Sequence, residues 1–185
     1  MKFLDLVKKR YSLRNYSRKK VEKEKIEICL EAARLAPSAC NSQPWFFIVI
    51  DNEKNKKLIT DKTHLGFLKM NKFISKAPVI IAVITEKPNL TSQIGGFLKR
   101  KEFNLIDIGI AVEHFCLQAT EFGLGTCIVG WFNEKFIKKV LNIPHQKRIG
   151  LLITLGYPKN NDIHDKKRKP LNSIFKYNNY DNKEK

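Results

Sequence analysis

Pro37-Ser38-Ala39-Cys40-Asn41-Ser42-Gln43-Pro44-Trp45 is a polar stretch bracketed by prolines. Each proline disfavours helix in the residue before it, so the stretch separates two elements rather than belonging to either. Upstream, Glu22 to Ala36 carries Ile26, Cys29, Leu30 and Ala33 at helical spacing. Downstream, Trp45 to Ile50 reads as a strand that begins at once.

Working outward, residues 2–10 place Phe3, Leu6, Val7 and Arg10 on a helix, and 53–60 look like another short one. Residues 61–76 are mixed and basic without a period. Pro78 to Thr85 is a β-branched run with no polar alternation, the pattern of a strand covered on both faces. From Phe103 to Phe122 apolar residues lie nearly all round a helix, including Leu105, Ile106, Ile108, Ile110, Val112, Phe115 and Leu117. Such a helix needs neighbours on every side, or a second subunit. Gly123 is placed to end it as a left-handed cap, and Thr126 to Val129 follows as a strand before Gly130. Asn133 can cap a helix to Leu141, with Pro144 beyond it, and Ile149 to Leu155 is a further strand. The order α-α-β-α-β-α-β-α-β predicts an α+β or α/β sandwich around a central sheet. The polar, aromatic tail after Lys166 has no core of its own and must lie on something else.

The chain has 185 residues, the size of one domain, and is 43% hydrophobic, enough for a substantial core without disulfides or a structural metal. Its 35 Lys and Arg against 18 Asp and Glu give a net charge of +17. Charge of that size suggests nucleic acid, an anionic membrane or a phosphorylated ligand, although most of the cations are Lys that a solvated surface accommodates without a function. The N-terminus is too short and too charged for a signal peptide and no run is long enough to span a membrane, so a soluble, cytoplasmic protein is expected. Cys29, Cys40, Cys116 and Cys127 form no C-x-x-C, and His64, His114, His145 and His164 are equally scattered, so no metal site is expected. The cysteines read as packing residues, Cys40 included.

There is no G-x-S-x-G, H-E-x-x-H, Walker loop or G-x-G-x-x-G after a strand. On spacing alone Gly123-Leu124-Gly125 is a turn. Arg10-Tyr11-Ser12-Leu13-Arg14 places two guanidinium groups and a hydroxyl on alternate residues where a helix gives way to extended chain. That set suits a phosphate, and equally suits a helix C-terminus whose dipole favours cations. Lys166-Lys167-Arg168 repeats the alternate basic pattern far away in sequence.

Together these pieces resemble the nitroreductase-like family of FMN-dependent oxidoreductases. Arg10 to Arg14 resembles its R-x-S-x-R phosphate motif, and Pro37 to Trp45 its P-S-A-x-N-x-Q-P-W signature. Gly123-Leu124-Gly125-Thr126-Cys127-Ile128-Val129-Gly130 resembles its G-L-G-T-C-x-x-G stretch, and Lys166 to Pro170 its C-terminal K-x-R before Pro. The resemblance implies an α+β three-layer sandwich, with a mostly antiparallel sheet flanked by helices, in an intertwined homodimer. Residues 1–165 would form the FMN-binding domain and 166–185 a basic arm that wraps the partner and completes the phosphate site.

By the same resemblance Arg10, Ser12, Arg14, Lys166 and Arg168 would grip the flavin phosphate and ribityl chain. Arg14 would also reach the pyrimidine edge and favour the anionic reduced flavin. Pro37, Ser38, Ala39, Asn41 and Gln43 would reach the flavin of the opposite subunit, and the Val129–Gly130 peptide would donate near N5. No side chain is expected to act as catalytic acid or base. NADH or NADPH would reduce the flavin and leave, and an electron-poor small molecule such as a nitroaromatic or quinone would take its place. With one domain there is no separate nicotinamide module, so donor and acceptor would share one flavin face in ping-pong. Reductive dehalogenation or oxygen-dependent chemistry on the same flavin is the alternative, and a basic nucleic-acid-binding protein the reading from a different class. Phe67, Phe97 and Trp131 are candidates for stacking over the ring. The brief segment between Glu86 and Phe103 leaves a pocket open, or covered by 61–76. Cys40 stands where the family commonly has a small residue, so a position beside the flavin would make it redox-sensitive.

Overall fold

The computed structural model describes residues 2–63, 71–160 and 166–180. Its helices are α1 (Phe3–Lys9), α2 (Lys23–Arg34), α3 (Glu53–Thr63), α4 (Leu90–Lys99), α5 (Phe103–Glu121) and α6 (Glu134–Val140). The strands β1 (Trp45–Ile50), β2 (Val79–Thr85), β3 (Gly125–Val129) and β4 (Arg148–Gly156) form one sheet in the order β1-β2-β4-β3. Every pairing is antiparallel.

The uninterrupted apolar run of β2 makes this a three-layer structure. Successive strand residues point to opposite faces, so Val79, Ile81 and Val83 pack with Ile26 and Cys29 of α2 and Ile108, Val112 and Phe115 of α5. Ile80, Ala82 and Ile84 pack on the other side with Ile59 of α3 and Ile137 of α6. The register slips between Val83 and Ile84, which oppose Leu151 and Ile149. Gly150 is the extra residue, and this bulge keeps Ile149 and Leu152 on the α3/α6 face.

Gly123 takes the left-handed conformation that ends α5, at φ 72°, and Asn133 caps α6 by accepting the Phe136 N–H at 3.1 Å. Helix α4 departs from the expected element order. Leu90, Ile94, Phe97 and Leu98 fall at helical spacing, and Asn89 caps the helix by accepting the Ser92 N–H at 2.9 Å. Of the aperiodic basic stretch, the first three residues belong to α3 and Lys72–Lys76 form a 3-10 turn. Cys29, Cys116 and Cys127 are buried as expected, whereas Cys40 is exposed and does not pack. Within one chain Leu105 and Ile106 of α5 stay 49% and 54% exposed, so the nearly all-round apolar helix is not covered by its own chain. Leu171, Ile174, Phe175, Tyr177 and Tyr180 of the tail are also exposed. No helix among the described residues is long and apolar enough to cross a membrane.

The turn after β4 is tied down by a polar group of four. Tyr157 donates to Glu22 Oε2 at 2.6 Å and accepts from Lys25 Nζ at 2.6 Å, while the Lys19 ammonium lies 4.1 Å from the centre of its ring. The Tyr157 hydrogen bond, helped by Lys25 and Lys19, holds the Glu22 carboxyl down at about 2. Because the folded-state value is depressed, the stabilisation is present above the ordinary carboxylate range and is lost as pH falls toward 2. Tyr157→Phe is therefore expected to return Glu22 toward 4.5, read from its carboxyl carbon in an NMR titration. An unmoved Glu22 would refute this account of the turn.

Candidate functional site

Helix α1 ends at Lys9, and Arg10 leaves it in extended conformation at φ −62°, ψ 124°. The following residues lie along the edge of the sheet. Ser12 bridges Thr126 of β3 in parallel sense, and the Leu13 N–H donates to Thr126 O at 2.9 Å. This approach requires Gly125, where a Cβ would stand 2.3 Å from Leu13 Cδ2 and 2.7 Å from Leu13 Cβ. Gly125 is thus read as a turn residue from spacing but serves the close approach of two backbones. Buried Tyr16 secures the segment's other end, donating to Leu13 O at 2.7 Å and lying 2.6 Å from Thr154 Oγ1.

The edge segment and the distant tail meet. Lys166 Nζ donates to Val7 O, the carbonyl three residues before Arg10. Burial holds the Lys166 ammonium below the ordinary lysine value, and the Arg10 and Arg168 cations push it the same way. Glu113 of α5 opposes that push, and its Oε1 stands 3.9 Å from Arg10 Nε, with the Arg10 side chain 16% exposed. Arg10 and Arg168 both act on Lys166, and Glu113 is the one acid acting on it, which leaves a surplus of two positive charges. That surplus matches the charge of about −1.5 to −2 on a phosphate monoester, so the residues present fit a phosphate-bearing cofactor.

Ser12 and Arg14 are exposed beside this cluster. The Arg14 guanidinium lies over the Phe73 ring, 5.5 Å from its centre. Asn71, just before the Phe73 turn, donates from Nδ2 to Trp131 O at 2.8 Å. The turn at 72–76 therefore links Arg14 to the end of β3, where Val129 is buried and Gly130 is exposed.

The proline-bracketed stretch folds as a tight 3-10 turn, Ala39–Asn41, whose backbone is left-handed at Cys40 (φ 52°), Asn41 (φ 51°) and Gln43 (φ 47°). Pro37, Asn41 and Gln43 are exposed, and Ser38 and Ala39 half-buried. The Gln43 N–H donates to Ser38 Oγ at 2.9 Å, and Gln43 Nε2 to Asn41 Oδ1 at 3.0 Å. The turn is tethered to α4 by Asn89, whose Nδ2 donates to Cys40 O and whose N–H donates to Ser42 Oγ, both at 2.8 Å. It is tethered to α5 through the Ala39 N–H, which donates to Asp107 Oδ1 at 3.1 Å.

The structure thus gathers Arg10, Lys166 and Arg168 with Ser12 nearby, and Arg14 toward Val129 and Gly130. The 37–43 turn is not joined to them by any hydrogen bond or ion pair among the described residues. Both groups instead hold to α5, at Glu113 and Asp107, six residues or about 9 Å of helix apart. Of the stacking candidates, Phe97 on α4 is 85% exposed and Trp131 57% exposed. Phe67 lies outside the described residues, as do His64, His164 and much of the basic 61–76 segment. Sequence reasoning missed Glu113, Asn71, Phe73 and Asp107. Asp107 had a signal: it falls on the same helical face as Ile108, Ala111 and Phe115, where an acid is out of place.

Comparison with known proteins agrees with the geometry. The sequence model of the Nitroreductase family matches residues 7–69 and 68–157. An Archaeoglobus fulgidus protein named as a candidate NADH dehydrogenase/NAD(P)H nitroreductase is 30% identical over 160 residues, covering 84% of this chain and 85% of its own. The iodotyrosine deiodinase of Thermotoga neapolitana is 27% identical over 97% of this chain and 100% of its own. The solved structure of an FMN-dependent nitroreductase from Clostridium difficile R20291 superposes with a TM-score of 0.77 at 28% identity, covering 96% of this chain and 100% of the other. With an all-antiparallel sheet between two helical layers and the family model matching the residues that build it, the chain belongs to the Nitroreductase family.

Proposed function

We propose that this protein is an FMN-dependent oxidoreductase, passing electrons from NADH or NADPH to an electron-poor small molecule such as a nitroaromatic or quinone by a ping-pong cycle. The observation that carries the reading is the two-charge surplus of Arg10, Lys166 and Arg168 over Glu113 beside the edge of β3. Bound FMN supplies the redox chemistry, accepting a hydride from a reduced nicotinamide and giving up two electrons to the acceptor. Arg10, Lys166, Arg168 and the Ser12 hydroxyl hold its phosphate. Arg14 and the Val129–Gly130 peptide supply fixed positive ends for charge that develops on the ring, an electrostatic contribution set up in advance.

The working unit is proposed to be a homodimer, in which Pro37, Ser38, Ala39, Asn41 and Gln43 of one chain meet the cofactor held by the other. The separation of the two groups along α5 and the uncovered Leu105 and Ile106 support it. The arm from Lys166 onward, exposed from Lys167 to Tyr180, is proposed to lie on the partner. A cytoplasmic location and the absence of nucleic-acid and membrane partners belong to the same reading.

The test begins with purified protein, expected to be yellow and to bleach with NADH or NADPH without air. Arg14→Ala is expected to weaken FMN about tenfold, or about 1.4 kcal/mol. The two-electron potential should fall by roughly 30 mV as the reduced flavin loses a further factor of about ten beyond the oxidised one. Unchanged affinity and potential would overturn the role of Arg14. The full-length similarity to iodotyrosine deiodinase favours a second reading, reductive dehalogenation on the same flavin. Offering the photoreduced protein a halogenated phenol beside a nitroaromatic separates the two.

A further inference from the structure

We infer that Asp107 is a positioning residue for the flavin-facing turn, its buried carboxylate holding Ser38 and Asn41 in place through the Ala39 amide. The inference rests on the FMN reading above. Left-handed backbone is strained at most residues other than glycine and asparagine, and the turn holds it at Cys40 and Gln43 as well as at Asn41. Such a backbone persists only where its surroundings over-determine it. The bonds from Gln43 and Asn89 lie at exposed positions, where water competes for the same groups. The bond to Asp107 differs, because the acceptor residue is only 3% exposed.

The choice of residue carries the inference further. Asp107 Oδ2 has no hydrogen-bond partner among the described residues and is buried. A buried carboxylate with one N–H donor is expensive, and the surrounding cluster of Ile108, Ala111 and Phe115 would accept an apolar side chain at less cost. A charge-assisted N–H bond is about twice as strong as a neutral one, which is what a strained turn needs at its only described link to α5. Asp107 thus works through Ala39, at the start of the turn that displays Ser38 on one side and Asn41 on the other.

The experiment compares wild type, Asp107→Ala and Asp107→Asn. FMN affinity is read by quenching of flavin fluorescence, and the exchange rate of the Ala39 amide hydrogen is measured without flavin. Asp107→Ala is expected to weaken FMN about tenfold and to speed Ala39 exchange at least as much. Asp107→Asn, which keeps an oxygen acceptor but loses the charge, should fall between wild type and Asp107→Ala in both. Wild-type affinity in Asp107→Ala, or a tenfold loss in Asp107→Asn, would overturn the inference. If Asp107→Ala does not fold, Asp107→Asn decides by the same criterion, since the loss of rescue there is fatal to the proposed bond. A wild-type protein that takes up no FMN would sink the cofactor reading instead, while Ala39 exchange would still report on the Asp107 anchor.

Discussion

Lys166→Ala is expected to weaken FMN retention about thirtyfold, the equivalent of about 2 kcal/mol for a lost hydrogen bond to a charged group, and removing Arg10 as well should leave the protein colourless. The reasoning runs through the free site. Lys166 is held below the ordinary lysine value by burial first and by Arg10 and Arg168 second, with Glu113 giving partial relief. An arriving phosphate dianion offsets the repulsion from Arg10 and Arg168, so the ammonium is favoured once the anion is bound. The sign of the pH dependence follows. Below the depressed Lys166 value the site is already protonated and affinity is flat in this group. Above it, binding must bring a proton with it, so affinity falls as pH rises. Lys166→Arg cannot lose its proton in that range and should bind without the alkaline decline. The measurement is an FMN titration across neutral to alkaline pH for wild type, Lys166→Ala and Lys166→Arg. An identical decline in Lys166→Arg would remove Lys166 from the account.

Gly125→Ala is expected to destabilise the fold through a single added methyl group. Its Cβ would be 2.3 Å from Leu13 Cδ2, which can swing aside, and 2.7 Å from Leu13 Cβ, which moves only with its backbone. Leu13 is 3% exposed and bonded to Thr126, so the segment has no slack. Overpacking of this kind costs about 1–3 kcal/mol, which lowers the melting temperature of a chain this size by roughly 2–12 °C. Because the displaced segment carries Arg10, Ser12 and Arg14, FMN affinity should fall with stability. Gly130→Ala is the thermal control, since a Cβ there meets nothing within 4 Å. Equal melting temperatures for the two variants would show that the edge of β3 tolerates a looser fit than the structure indicates.

Much of the architecture was legible because it rests on local periodicity. The run at Val79–Thr85 declared a strand buried on both faces, and both faces are covered. Gly123 and Asn133 declared their caps through conformational and hydrogen-bonding preferences that act within a few residues. Helix α4 was missed although Leu90, Ile94, Phe97 and Leu98 keep a helical period: Gly95 and Gly96 lower its helix propensity, and its cap bond and tether to Cys40 and Ser42 come from one residue, Asn89. Cys40 was read as a packing residue, but the left-handed turn leaves it exposed.

By itself the sequence determined the residue types of the site, the strand and helix periods, and the family, because donors for phosphate and apolar faces are properties of side chains and their spacing. Only the tertiary structure decided which of those residues share a surface. It carried Lys166 to the carbonyl of Val7, set Glu113 against Arg10, gave Gly125 its reason and buried Asp107 beneath the turn. These pairings span most of the chain, and no local preference encodes them. They follow from closing the sheet at β3 and laying α5 across it, which fixes distant side chains against one another once the apolar faces are buried.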